Sequence, residues 1–113
     1  MTKEYFKAIR LLNHCSLHDV HLESGAPEGG IRTFRMGKKN MDLLQAWCTK
    51  NSNPEQIDWA FLESIRKDKP MNYMDHIIGL NYGTYGSYMK GIKPFRANYL
   101  KIIEFQKRRK HVV

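Results

Sequence analysis

No stretch of this sequence holds the roughly 20 consecutive apolar residues that a membrane-spanning helix needs, so a membrane partner is not expected. Cysteine is nearly missing too. Only Cys15 and Cys48 occur, too few for a disulfide framework, and a cytoplasmic chain with reduced thiols is the expectation. The N-terminus, MTKEYFKAIRLL, has neither a long apolar segment nor a small-residue cleavage site, which argues against a secretory signal. Period-two alternation never lasts long enough to make a strand, which points away from sheet folds. Acids are scarce beside bases: 11 Asp and Glu face 19 Lys and Arg, giving a net charge of +8. That imbalance favours polyanionic partners, through attraction and through counterion release from a phosphate backbone.

Constellations that carry chemistry are equally thin. HCSLHDVH gathers His14, Cys15, His18 and His21, and the helical spacings His14/His18 and His18/His21 suit zinc. No second cluster of Cys or His accompanies them and Cys48 is distant, so no metal and no other cofactor is expected. Cys15 or Cys48 as a nucleophile would need a placed base and an oxyanion site, and nothing indicates either. No phosphate-binding glycine loop precedes a basic helix. Neither an enzyme nor a small-molecule substrate is expected.

What the chain does have is a repeat. Its 113 residues, 42% hydrophobic and 27% charged, lie near the globular average. In SGAPEGGIRTFRMGKK, Gly25 and Gly37 bracket eleven residues, and IGLNYGTYGSYMKGIK repeats the bracket at an offset of 54. Gly25 then meets Gly79, Gly29 meets Gly83, Gly37 meets Gly91 and Lys39 meets Lys93. Apolar positions coincide as well: Ala26 with Leu80, Ile31 with Tyr85, Phe34 with Tyr88. Two small units follow, 1–50 and 51–113, the second ending in the basic tail KRRKH. Units that short are marginal alone, so a shared core is expected.

Helical periodicity runs through both. In the first helix Phe6, Ile9 and either Leu12 or Asn13 face inward. Ser16 caps the next, Asp19 reaches back to it, and Leu17, Val20 and Ser24 face the core. Gly25 ends that helix in a left-handed turn. Pro27 suits the first position of the bracket helix, with Ile31 and Phe34 inward and Gly37 as its terminator. Leu43, Leu44 and Trp47 are core candidates of the following helix. Beyond the loop from Thr49 to Asp58, Asn53-Pro54 reads as a helix start, with Ile57, Phe61, Leu62 and Ile65 as an apolar stripe to about Lys67. Met71, Met74 and Ile78 should face inward, with Gly79 closing that helix. A final helix after Pro94 buries Leu100, Ile103 and Tyr99. The fold class is all-α.

Two short helices joined by a tight glycine turn form a helix-turn-helix, whose second helix can lie in a DNA major groove. The turn needs positive φ, which glycine supplies. Ala26 or Leu80 then plugs the corner, and the sixth and ninth residues after the glycine seat the second helix. With SLHDV and Ser24-Gly25 in one copy, and IGL and YMKG in the other, the chain resembles the lambda repressor and Cro family of helix-turn-helix domains. It does so twice, over Glu4–Trp47 and again over Ile57–Phe105. His21 and Asp75 stand where the family often has alanine, so they should alter the helix crossing or point outward. Gly29 with Gly30 costs about 2 kcal/mol of helix propensity relative to alanine; close approach of backbone to DNA or to another helix would explain the pair.

The resemblance implies two packed helix-turn-helix units and assigns residues. Base-edge positions are Glu28, Gly29, Arg32 and Thr33 in the first copy, and Tyr82, Gly83, Gly86 and Ser87 in the second. Arg32 is the best reader, because its guanidinium forks onto guanine O6 and N7. Arg35, Lys38, Lys39, Lys90 and Lys93 would clamp phosphates. Tyr85 and Tyr88 belong to the core, Tyr82 to DNA. The expected function is sequence-specific binding of double-stranded DNA by a transcriptional regulator of phage or mobile-element type, acting in the cytoplasm on the nucleoid. Unlike recognition helices suit an asymmetric operator. The alternative is a protein-interaction module, an antiactivator or anti-repressor, motivated by Glu28, by glycine-rich recognition helices and by exposed Trp59 or Trp47. A homodimer, with one unit on DNA and the other at the dimer contact, lies between the two.

Overall fold

A computed structural model describes residues 1–111, and among them there are eight α-helices and no strand. The chain divides into two compact units, Met1–Pro54 and a second beginning at Glu55. Each unit holds its own cluster of buried apolar side chains.

The first unit holds α1 (Lys3–Leu12), α2 (Leu17–Ser24), α3 (Glu28–Thr33) and α4 (Lys38–Lys50). Phe6 and Ile9 of α1 are buried with Val20, Ala26, Ile31, Leu44 and Trp47, while Leu17 and Phe34 pack at the edge. The Phe6 ring stacks on Phe34 at 6.2 Å and meets Trp47 edge-on at 6.4 Å. Asn13, not Leu12, completes the inner face of α1. Its amide donates to the carbonyls of Ile9 at 2.8 Å and Asn51 at 2.9 Å, tying the end of α1 to the end of α4. A buried amide with satisfied donors is tolerated where an unpaired one is not. The capping box at Ser16 is formed: Ser16 Oγ accepts from Asp19 N–H and Asp19 accepts from Ser16 N–H.

The second unit holds α5 (Trp59–Arg66), α6 (Met71–Ile78), α7 (Thr84–Met89) and α8 (Arg96–Lys110). Its core is Leu62, Met74, Ile78, Leu80, Tyr85, Tyr88, Ile102 and Phe105. Tyr99 and Ile103 of α8 are also buried. Trp59 lies across Tyr85 and Tyr88, at 6.1 and 6.2 Å between ring centres.

Several expectations fail, each for a local reason. α5 does not start at Asn53-Pro54. Gln106, almost wholly buried, accepts from Asp58 N–H at 2.7 Å and donates to the Gln56 carbonyl at 3.1 Å. Tyr99 Oη donates to the Glu55 carbonyl at 2.6 Å. Those partners hold 55–58 out of a helix, and Asp58 becomes the cap, accepting from Phe61 N–H. Leu43, Met71 and Leu100 are exposed rather than core, because the neighbouring turns place Leu44, Met74 and Ile103 inward instead. Trp47 is buried, donating to Glu23 at 3.1 Å, and Trp59 is half-buried; neither is an exposed aromatic.

Candidate nucleic-acid interface

The interest of the fold lies in the two corners. In the first, α2 ends at Gly25 with φ 81°. In the second, α6 ends at Gly79 with φ 92°. A left-handed residue turns the chain sharply without a Cβ clash, so glycine is the natural occupant. The next residues, Ala26 and Leu80, are both buried, as are Ile31 and Tyr85 six positions after each glycine. Hydroxyls repeat the pattern. Thr33 Oγ1 donates to the Gly29 carbonyl at 3.0 Å, and Ser87 Oγ to the Gly83 carbonyl at 3.1 Å.

The short helices after the corners are not in register, however. α3 begins one residue after Pro27, which is its cap rather than its first residue. Gly37 does not terminate it. Phe34 adopts the left-handed conformation at φ 55°, its N–H returning to Gly30 and Ile31, and Arg35 N–H donates to Gly30 O at 3.0 Å. Gly37 instead precedes α4 with φ −68°, so Lys38 and Lys39 open α4. The physical reason is Gly30: a Cβ there would meet Met36 Cγ at 2.5 Å, so the chain folds back over a bare backbone. Nothing lies within 4 Å of a Cβ at Gly29. The close approach expected of the glycine pair is therefore internal at Gly30.

In the second unit the helix starts later. Gly83, at φ 86°, is the cap of α7, and Tyr82 lies in the turn before it. Gly91, at φ 103°, does reverse the chain after α7. Asp75 decides the start. It points inward, only 3% exposed, and its two oxygens accept from Gly83 N–H at 2.9 Å and Tyr85 N–H at 2.7 Å. A glycine cap has no side chain to satisfy the first amides of a helix, and an acid two turns of chain away supplies the acceptor. His21, half-buried, also stays within its unit, with Nδ1 donating to the Ala26 carbonyl at 2.7 Å. Neither residue points outward.

The candidate contact residues differ in their freedom. Glu28 sits between His18 Nδ1 at 2.6 Å and Arg32 Nη2 at 3.3 Å. The hydrogen bond from His18, and then Arg32, holds its carboxyl below the ordinary carboxylate range. Arg32 is 62% exposed and reaches solvent from that pair. Lys38 is bound to Asp42 at 2.9 Å, which raises its ammonium pKa. Arg35, Lys39, Lys90 and Lys93 are exposed and form no ion pair among the described residues. Tyr82 is 85% exposed, while Tyr85 and Tyr88 are core. Gly86 lies half-buried beside Met71, at 3.8 Å from a Cβ position.

A polar node beneath α7 had no signal in the sequence. Tyr85 Oη donates to Glu63 at 3.2 Å, and Arg66 forks onto the same carboxylate. Burial, and then Glu63, pushes the Tyr85 phenol up, while Arg66 holds Glu63 down. The capping role of Asp75 was likewise missed, because the sequence places Gly83 within the helix rather than at its start. Among the described residues no group of three His, Cys, Asp or Glu side chains is placed to hold a metal ion. Cys15 and Cys48 are buried, and burial raises the Cys48 thiol pKa, the opposite of an activated nucleophile. No helix of the described residues is long and apolar enough to cross a membrane. No family model, no curated protein and no solved structure matches the chain.

Proposed function

We propose that this chain is a sequence-specific DNA-binding transcriptional regulator, built from two helix-turn-helix units in tandem and of the small phage or mobile-element type. One observation carries the reading: the paired corner, with a left-handed glycine, a buried plug and a buried seat at Gly25, Ala26 and Ile31, and again at Gly79, Leu80 and Tyr85. The net charge of +8 and the unpaired cations Arg35, Lys39, Lys90 and Lys93 support a phosphate-bearing partner. Arg32 is the base reader of the first unit. Leaving Glu28 costs it little, because an exposed i,i+4 pair is worth well under about 1 kcal/mol. Thr33 and Ser87 are poorer readers than their positions imply, since each hydroxyl proton is turned to its own helix.

The protein-interaction reading keeps one observation in its favour. Glu28, bridged by His18 and Arg32, presents α3 as a neutralised surface rather than a cationic one. Fluorescence anisotropy on genomic fragments, the gene's own promoter among them, separates the readings. DNA binding gives a preferred fragment and a log-log fall of affinity with salt. Absent or salt-insensitive binding would transfer the function to a protein partner.

A further inference from the structure

Residues 76–103 of the second unit contain no Asp or Glu, while Lys90, Lys93, Arg96 and Lys101 supply positive charge. The acid that precedes them, Asp75, is buried on backbone amides. Within this acid-free stretch the fold leaves large apolar side chains unburied. Phe95 is 80% exposed and Ile92 59% exposed. Both belong to KGIKPFR, the turn between α7 and α8. The turn is a built one: Gly91 reverses the chain, Ile92 N–H donates to Ser87 O at 3.2 Å, Pro94 is buried, and Phe95 caps α8 through its backbone. Phe95 is thus held outward by fixed neighbours on both sides.

At 80% exposure Phe95 stands outside this unit's core, which closes without it. The rim around it decides the occupant. Lys90, Lys93 and Arg96 alternate with Ile92 and Phe95, which matches a partner with a negative outer rail and flat apolar planes between the rails. α7 itself has no Arg, Asn, Gln or Lys, so it is poor in side chains that read base edges. We propose that Phe95, backed by Ile92, is an apolar wedge that enters a base step of duplex DNA while Lys90 and Lys93 hold the flanking phosphates. The wedge rests on the DNA-binding reading above and adds to it the means by which the second unit selects sequence. Pyrimidine–purine steps unstack most easily, so the unit reads deformability rather than hydrogen-bonding edges.

The test uses the full chain and duplexes carrying 2-aminopurine at a TA step, with donor and acceptor dyes at the ends. Binding should raise 2-aminopurine fluorescence and shorten the end-to-end distance. Phe95→Ala should remove both signals and weaken binding about tenfold, the scale of one lost aromatic–base stack. Its salt slope should stay unchanged, because no cation is lost. Phe95→Leu should keep part of each signal, and circular dichroism should show all variants folded. Tight duplex binding by the unaltered chain with no fluorescence change, or wild-type affinity in Phe95→Ala, overturns the wedge and leaves the DNA reading standing. Preference for single strands over duplex also overturns the wedge, in favour of plain stacking. If no duplex is bound in a salt-dependent way, the DNA reading falls and takes the wedge with it.

Discussion

Asp75→Ala should destabilise the second unit. The carboxylate accepts two backbone N–H groups, at 2.9 and 2.7 Å, in a site only 3% exposed. Hydrogen bonds to a charged acceptor each contribute about 1.5–3 kcal/mol, and truncation leaves both donors without a partner. Against this, removing a buried charge relieves some desolvation, so a net loss of about 3 kcal/mol is expected. A domain of this size shifts by about 4–8 °C per kcal/mol, which sets the drop in midpoint at about 12–24 °C. Trp59 packs on Tyr85 and Tyr88, one of the two residues whose amides Asp75 holds being Tyr85, so its emission reports this unit. Trp47 reports the other. Thermal melts of Trp47→Phe and Trp59→Phe backgrounds then separate the two transitions. Asp75→Asn should fall between wild type and alanine, since an amide has one acceptor oxygen and presents a donor to the second N–H. A melting midpoint for the Trp59-reported transition within about 4 °C of wild type, about 1 kcal/mol, would sink the capping argument.

The remaining predictions concern glycine, acid and DNA. Gly79→Ala should cost about 1–2 kcal/mol, because φ 92° strains any L-residue, whereas Gly37→Ala, at φ −68° with open space around it, should change stability by less than about 1 kcal/mol, the entropy gain offset by alanine's poorer fit at a helix cap; urea denaturation of both decides. Arg66 holds the folded-state pKa of Glu63 below its ordinary value, so the stability this contributes is present above the ordinary carboxylate pKa near 4.5 and is lost as pH falls through the lower folded value. Glu63→Gln should therefore flatten the acid limb of the second unit's stability profile, and parallel profiles would remove the linkage. Arg32→Ala should cost about 1–3 kcal/mol on a preferred site and relax preference there, while Lys39→Ala or Lys93→Ala should weaken all duplexes alike and lower the salt slope by about one. Unchanged binding in Arg32→Ala takes the reader out of α3.

The corners were legible because they are governed by local rules. Gly25 and Gly79 follow from the left-handed turn, the Ser16 box from its spacing, and Ala26, Ile31, Leu80 and Tyr85 from the geometry of one short helix seated on another. The failures come from contacts far apart in sequence. Nothing within 55–58 forbids a helix there; Gln106 and Tyr99, more than forty residues on, take the backbone groups a helix would have used. Likewise the end of α3 was set by a side chain outside it. Met36 occupies the space above Gly30, so the helix closes at Thr33 and the glycine expected to stop it begins the next one.

Against the offset of 54, α7 begins two residues later than α3, and this slip has a consequence for the interface. At an offset of 54, Glu28 and Tyr82 occupy the same place in the sequence, yet Glu28 opens α3 and Tyr82 lies in the turn before α7. Equivalent positions therefore face different surroundings. In the first unit the position is filled by an acid that ties down His18 and Arg32. In the second it is an aromatic in solvent, followed by a helix whose first amides are satisfied from within by Asp75. A reader of base edges is best served by a charged or amide side chain on the helix; α3 has Glu28 and Arg32, and α7 has none. On the DNA-binding reading proposed above, a unit that lacks one draws selectivity from shape, and the exposed apolar side chains of the second unit are suited to that. Footprints of such a chain should then be unequal: one half sensitive to base substitution, the other to substitutions that stiffen a step. A footprint that is a perfect palindrome would mean that two chains bind with like units, and would confine DNA contact to one unit of each.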